Sequence, residues 1–390
     1  MSWKVARVGD FCITGSGATP SRSEREKYYH GGAIPWVKSG ELREKVILDT
    51  EEHVTEQAYR EARMKMVPKG SILLAMYGAT VGRMAMLGTD ATTNQAVCHI
   101  VPDRSVANVR FIFHALQYKV PSIVAMGVGG AQPNINQTIV KNLEIPLPPL
   151  SEQCRIAAIL DKVEALRSKR NDAIAKLDQL LKSVFLQMFG DPATNPKGWP
   201  IGKITDLLES FTYGSSEKAA SSGDVPILRM NNITSSGEMN LTDLKYLPAD
   251  RVSDKHLVEV GDVLFNRTNS KELVGKTAVY DGPSTMAYAG YLVRARPKDA
   301  ASAHYISGFL NSSYGKATLR GMCKSIVGMA NINAKEFSAI EIAIPPIAVQ
   351  RDFASRVKAV RDYRRRLEAH QGVLDTLFGS LQERAFAGEL

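Results

Sequence analysis

The chain has 390 residues, of which 44% are hydrophobic and 23% charged; this excludes disordered and collagen-like classes, and the length suggests two or three domains. Lys and Arg number 49 against 40 Asp and Glu, a formal net charge of +9 that permits a polyanionic partner without requiring one. Apolar stretches such as Ser71–Met76 fall far short of the ~18 residues of a membrane helix. The opening Met1-Ser-Trp-Lys-Val-Ala-Arg-Val-Gly-Asp carries no apolar signal core, so a cytoplasmic protein is expected.

From the N-terminus, short apolar runs bounded by Gly, Pro, Asn and Ser predict strands, among them Val97–Val101 and Leu143–Leu147. Val106–Tyr118 reads as a helix. At Pro148-Pro149 the texture changes: Gly and Pro nearly vanish, and Ser151 opens a long helix. Its apolar residues Ile156, Leu160, Val163, Ile174, Leu177, Leu181, Val184 and Met188 step by four and three, with Arg167 and Arg170 interrupting midway. Such a seam buries itself against another helix. The segment from Gly190 to Pro200 reads as a link. Beyond it the pattern returns, with strands at Leu292–Arg296 and Ile340–Ile344, a helix at His304–Leu310, Pro345-Pro346, and a second long helix. The second seam runs Phe353, Val357, Val360, Arg364, Leu367, Gln371, Leu374, Phe378, Leu381.

The chain is an internal duplication. Residues 134–190 and 331–387 agree at 16 of 57 positions without a gap, including Asn134-Ile-Asn136, Pro148-Pro149, Gln153, Arg167, Leu177-Asp178 and Phe189 with their counterparts 197 residues later. The front halves echo more weakly: Trp3 with Trp199, Ile34-Pro35 with Val225-Pro226, and Val81-Gly-Arg83 with Val274-Gly-Lys276. The repeated Asn134 and Asn331 read as turn or helix-start residues.

Enzyme motifs fail. Gly275-Lys-Thr277 would need glycine at Ser270 to end a phosphate loop, and Gly127-Val-Gly129 would need glycine at Gln132 for a dinucleotide fingerprint. Pro148-Pro149 lacks the preceding Asn or Asp and the following aromatic of an amino-methyltransferase loop. The seven histidines show no metal-ligand spacing, and Cys12, Cys98, Cys154 and Cys323 form no C-x-x-C pair, so neither zinc nor a disulfide framework is expected. Asp243-Leu-Lys245 matches the tail of a nuclease motif, a triplet common by chance.

Two globular segments, each followed by Pro-Pro and a long helix in a direct repeat, resemble the specificity (S) subunit of Type I restriction–modification systems. Phrases of the same likeness are Trp3–Asp10, Ile34-Pro-Trp-Val-Lys38, Gly78-Ala-Thr-Val-Gly82, Thr93-Asn-Gln95 and Ile145-Pro-Leu-Pro-Pro-Leu-Ser-Glu-Gln153. The second half departs from the first at Val349-Gln350 and by an insertion near Leu273-Val-Gly275.

The resemblance implies an α+β fold: two mixed α/β target recognition domains separated by two long antiparallel coiled-coil spacer helices, in a tandem repeat with pseudo-two-fold symmetry. The expected bounds are 1–147 and 199–344 for the recognition domains, 148–190 for the central helix, 191–198 for the linker and 345–390 for the C-terminal helix. It implies no catalysis by this chain and no cofactor of its own. Its two recognition domains would each read one half of a bipartite target in double-stranded DNA, S-adenosylmethionine would sit on two partner methyltransferase subunits, and restriction subunits could join them. Rival readings are a free-standing two-domain DNA-binding regulator, a self-contained nuclease and a structural scaffold.

Polar and basic residues in turn-rich segments are the DNA-contact candidates. They are Lys38, Ser39, Tyr77, Arg83 and Gln132 in the first domain, and Arg229, Asn231, Asn232, Arg267, Asn269, Lys276 and Lys324 in the second. Arg and Lys suit guanine edges, Asn and Gln suit adenine, and Lys also suits phosphate. Arg167, Arg170, Arg364, Arg365 and Arg366 are candidates for phosphate or methyltransferase contacts, or for a solvated helix face.

Overall fold

The computed structural model describes residues 3–43, 46–126, 135–326 and 329–390. The chain divides into two compact units, Met1–Arg170 with His370–Leu390, and Asn171–Ala369. The long helices are Leu150–Phe189 and Ile347–Ala387, and each contributes one part to each unit. Among the described residues, no helix is long and apolar enough to cross a membrane.

In the first unit a five-stranded sheet runs in the order Cys12–Ser16, Val97–Pro102, Ile72–Ala75, Met84–Leu87, Val46–Ile47. A three-stranded sheet orders Glu52–Val54, Ile34–Val37, Thr92–Thr93. The central strand Ile72–Ala75 is buried along its whole length, as its unbroken apolar run requires. Helix Val109–Met126 packs Phe111, Ile112, Ala115 and Leu116 into the core with Ile156 and Leu160 of the long helix.

The second unit repeats this plan. Leu208–Tyr213, Leu292–Pro297, Val263–Asn266 and Thr277–Val279 form one sheet. Lys245–Leu247, Val225–Leu228, Met286–Tyr288 and Leu257–Val258 form another. Each unit also closes with a two-stranded antiparallel pair, Val5–Arg7 on Glu144–Pro146 in the first and Ile201–Lys203 on Glu341–Ala343 in the second.

The helices pack antiparallel within each unit. In the first, Arg155 donates to the Leu390 carbonyl at 2.7 Å and Arg167 Nε to Asp375 at 2.6 Å. In the second, Arg364 pairs with Asp178, and Phe353 meets Phe185 and Phe189 at ring separations of 5.6 and 5.3 Å. Helix Ala303–Asn311 approaches these rings closely at Gly308, where a Cβ would lie 2.9 Å from Phe353 and 3.0 Å from Phe185. The repeated tryptophans each cap the end of a long helix: Trp3 Nε1 donates to the Ala385 carbonyl and Trp199 Nε1 to that of Phe189.

One polar residue anchors the start of each long helix. Gln153 is fully buried; its carbonyl accepts from Asn108 N at 2.7 Å, and its amide donates to Val106 O and Pro148 O. Gln350, its repeat partner, is equally buried, accepts from Ser302 N at 3.0 Å and donates to Pro345 O at 2.8 Å. A buried side-chain amide is tolerated only when its partners are supplied, and these backbone groups have no water to turn to. The repeated asparagines behave differently from expectation. Asn331 lies in strand Met329–Asn331, whereas Asn136 and Asn333 cap the short helices that follow. Asn134 lies outside the described residues.

Gln153→Leu and Gln350→Leu should each destabilise their unit by about 1–3 kcal/mol, because backbone donors and acceptors are stranded in a dry interior. Urea unfolding of the full chain measures this; an unchanged midpoint in either variant would contradict the anchoring role.

Candidate nucleic-acid interface

Two loops in each unit carry most of the candidate residues, and the backbone holds them in the same way twice. The first follows the middle strand of the three-stranded sheet in one unit and an inner strand of the second four-stranded sheet in the other. After Ile34–Val37, Lys38 N donates to Glu41 Oε1 at 2.8 Å; after Val225–Leu228, Arg229 N donates to Asn232 Oδ1 at 2.8 Å. A side chain three residues on thus satisfies the turn's orphan amide in each case.

The second loop joins two sheet strands. Ala75 N donates to Arg83 O and Gly82 N to Ala75 O; likewise Asn266 N donates to Lys276 O and Gly275 N to Asn266 O. Gly82 and Gly275 have φ of 81° and 78°, where a side chain is strained, and a Cβ would strike Val124 at 2.9 Å and Leu319 at 2.6 Å. Met76 O accepts from Ile135 N, and Arg267 O from Ile332 N. The loop runs 76–83 in one unit and 267–276 in the other, so the insertion expected near Leu273 lies in the loop and leaves its anchors in place.

On this shared frame the side chains differ. Matched backbone bonds place Met76 with Arg267 and Ala96 with Tyr291, and the strand pairing places Ser16 with Tyr213. The Arg267 guanidinium stacks 4.8 Å from the Tyr213 ring centre and donates to Asn331 Oδ1 at 3.2 Å and Gly290 O at 3.4 Å. Tyr213 and Tyr291 are 43% and 51% exposed. Strand Thr268–Asn269 pairs with Met329–Asn331, which pairs with Lys324–Ile326, so Arg267, Asn269 and Lys324 are brought to one small sheet. The side chain of Lys324 lies outside the described residues, as does Gln132.

The remaining candidates divide by their partners. Arg83 is exposed and, among the described residues, has no ion-pair partner. Tyr77 is 38% exposed, and its partial burial raises its pKa; Ser39 is half-buried. Lys38 Nζ lies 2.9 Å from both Glu51 and Glu52. Arg229 and Asn231 both donate to Asp243, so its carboxylate orders one turn.

Two candidates need correction. Asn232 is 1% exposed and spends its amide on Asn240 O and Asp243 O, so it builds the turn and cannot reach a ligand. Lys276 Nζ donates to Met230 O at 2.8 Å and Ile233 O at 2.5 Å, which ties the second loop to the first. The helix arginines are also largely committed within the chain. Arg364 is 7% exposed and bonds Asp178 and Glu238, Arg365 bonds Asp281, and Arg167 bonds Asp375.

One cluster of metal-ligating types was invisible in the spacing. His114, Asp161 and Glu164 converge in the first unit. Arg110 occupies the position a cation would need: its Nε donates to both Asp161 oxygens at 2.9 and 3.0 Å, and its terminal nitrogen pairs with Glu164. Burial opposes ionisation of Asp161, but hydrogen bonds from Arg110 and His114 outweigh it and lower its pKa. The group is an ion network joining helix Val109–Met126 to the long helix.

Residues 1–176 and 196–372 each match the family model described as the Type I restriction modification DNA specificity domain. The chain belongs to this family. Among curated specificity subunits, it is 23% identical to that of EcoKI from Escherichia coli K12, over 100% of this chain and 89% of the relative. It is 29% identical to that of MjaIX from Methanocaldococcus jannaschii, where the match spans about half of each, 53% and 52%. Among solved structures, it resembles a crystal structure of a Type I S subunit from M. genitalium with a TM-score of 0.59 at 13% identity, over 99% and 96% of the two chains. A chain from a study of assembly and conformational transition in the type I R-M system gives 0.62 at 18% identity, over 100% and 98%. In this specificity-family chain, each of the two matched segments contains one copy of both loops. Spacing alone did not single out Tyr213, which ends strand Leu208–Tyr213, or Tyr291, which directly precedes strand Leu292–Pro297.

Glu52 bears on how the Lys38 turn responds to pH. Hydrogen bonds from Arg22 and then Lys38 lower its carboxyl to about 2. A depressed carboxylate contributes stability that is present above its unfolded value near 4.5 and is lost as pH falls through about 2. Glu52→Gln should therefore reduce stability near neutral pH, and the difference from the parent should vanish at about pH 2. Chemical denaturation across this range measures it; a difference independent of pH would contradict the ion-pair origin.

Proposed function

We propose that this chain is the non-catalytic DNA-reading subunit of a Type I restriction–modification complex. Each recognition domain, 1–147 and 199–344, reads one half of a bipartite target in double-stranded DNA. The helices 148–190 and 345–390 set the gap between half-sites and dock two methyltransferase subunits, with S-adenosylmethionine on those partners. Restriction subunits complete the nuclease form, and the assembly works in the cytoplasm. The observation that carries this reading is the pair of identically anchored loops with unlike side chains. One scaffold bearing Met76, Ala96 and Ser16 in one copy and Arg267, Tyr291 and Tyr213 in the other suits two readers of different sequence. Half-sites about one helical turn apart follow for two such readers on one face of a duplex.

Partner docking is supported by the surface of the long helices. Leu166 and Tyr363 are exposed, as are Leu180 and Leu377, and each pair is separated by the repeat interval of 197 residues. Exposed large apolar residues at equivalent places in both copies suit two copies of one partner.

The test is a domain exchange. Replacing residues 1–145 with the matching segment of a related specificity subunit should change one half of the methylated sequence and leave the other intact. Methylome sequencing reads the outcome, and a change in both halves would refute independent readers.

At residue level, Arg267 is held by a ring and two acceptors before any ligand arrives, which reduces the ordering cost of binding. A guanidinium suits the two acceptors of guanine. Arg267→Ala should weaken binding by ~1–3 kcal/mol and relax one position of the second half-site. Binding of the methyltransferase complex to single-base variants at two salt concentrations checks this. A uniform loss with a salt slope smaller by about one unit would assign Arg267 to phosphate instead.

A further inference from the structure

The second unit contains a cleft of about 560 Å³ between the loop ending at Lys276, helices Ala303–Asn311 and Ser313–Met322, and parts of both long helices. This is the size of a small-molecule site. Part of its lining is apolar, from Leu181, Phe185, Phe353 and Val357. The rest is polar and carries five Lys and Arg side chains against three carboxylates.

The charges in the lining do not balance. Asp178 is committed to Arg364, and Arg361 to Glu238. Of the other lining ions, Lys182, Lys276, Lys316 and Arg320 face only Asp191 and Glu272, and none of the four forms an ion pair among the described residues. Among the described residues, Lys316 Nζ has one protein acceptor, Gly275 O at 2.9 Å, leaving two donors unused. Burial, with Arg320 and Lys276 close by, lowers its pKa to about 8. Holding an uncompensated ammonium in this position is costly unless an anion joins it.

The first unit keeps a cation at one of these places, Arg83 where the second unit has Lys276, and lacks two others. The glycine contacts match Leu319 with Val124, and by that register Pro121 and Ala125 stand where the second unit has Lys316 and Arg320. Lys316 and Arg320 are therefore not a requirement of the common fold.

We propose that this cleft binds a nucleoside phosphate, with its phosphates on Lys316 and Arg320 and its base along the apolar lining. Concave, low-dielectric surroundings strengthen the attraction of such a cluster for a compact polyanion. The site is separate from the DNA-reading assignment and stands or falls without it.

Calorimetric titration of the full-length protein with ADP at low ionic strength tests this, with adenosine and a short duplex of arbitrary sequence as comparison arms. ADP should bind at one saturable site and adenosine far more weakly. Lys316→Gln and Arg320→Gln should each weaken ADP by about tenfold or more, as expected for losing a charge-assisted bond to phosphate. Arg320 is exposed, so its substitution keeps the test decisive if Lys316→Gln fails to fold. ADP binding no tighter than adenosine, or unchanged in the folded variants, overturns the proposal. It is also overturned if the duplex displaces ADP and itself loses affinity in these variants, because the cleft would then be a track for the DNA backbone.

Discussion

The antiparallel pairing of the two long helices is the constraint on which the rest depends. Repeated residues pair across the copies: Arg167 with Asp375 in one unit, and Arg364 with Asp178 in the other. The half-exposed Arg167 pair contributes at most about 1 kcal/mol. Arg364 is nearly buried, so losing its carboxylates would leave a desolvated charge at a far larger cost. The bulk of the attraction comes from the apolar seam and from rings such as Phe185, Phe189 and Phe353, each worth roughly 1.5–3 kcal/mol when buried. That attraction is nondirectional. The ion pairs select the register in which it is realised.

Register matters because each helix begins at a fixed point in a domain. Gln153 and Gln350 lock the Pro-Pro corner to the start of a domain segment by bonds that an apolar side chain cannot make. The tryptophans then cap the far ends. The residues that survived duplication at 134–190 and 331–387 are therefore chiefly those that make the frame. The loops on that frame were free to diverge, since their backbone bonds constrain the chain path and leave side-chain identity open. This is why Arg267 can replace Met76 without disturbing the bond from Ile332 that corresponds to that from Ile135.

Much of this organisation was legible in the residues themselves. The duplication, the Pro-Pro corners, the 3.5-residue seams and strands such as Val97–Pro102 and Leu292–Pro297 are local patterns, and periodicity reports them because burial of one face is a local requirement. The loops holding Tyr77, Arg83, Arg267 and Asn269 were also identifiable, from turn chemistry at strand ends.

The fate of individual side chains was not legible, because it depends on partners far along the chain. Lys38 and Arg229 both read as DNA-contact candidates, yet Glu51, Glu52 and Asp243 lie within ion-pair distance of them. Asn232 read as a surface amide and proved to be the buried cap of its own turn, a role that requires Asn240 and Asp243 to fold back over it. Arg364 read as one of several helix arginines until Asp178 and Glu238 arrived from other segments. Sequence determined the repeat, the helices and the scaffold, since these follow from short-range periodicity and steric rules. Only the tertiary structure decided which charges remain unpaired, because pairing is a matter of a few ångströms between residues that the chain itself keeps tens or hundreds of positions apart.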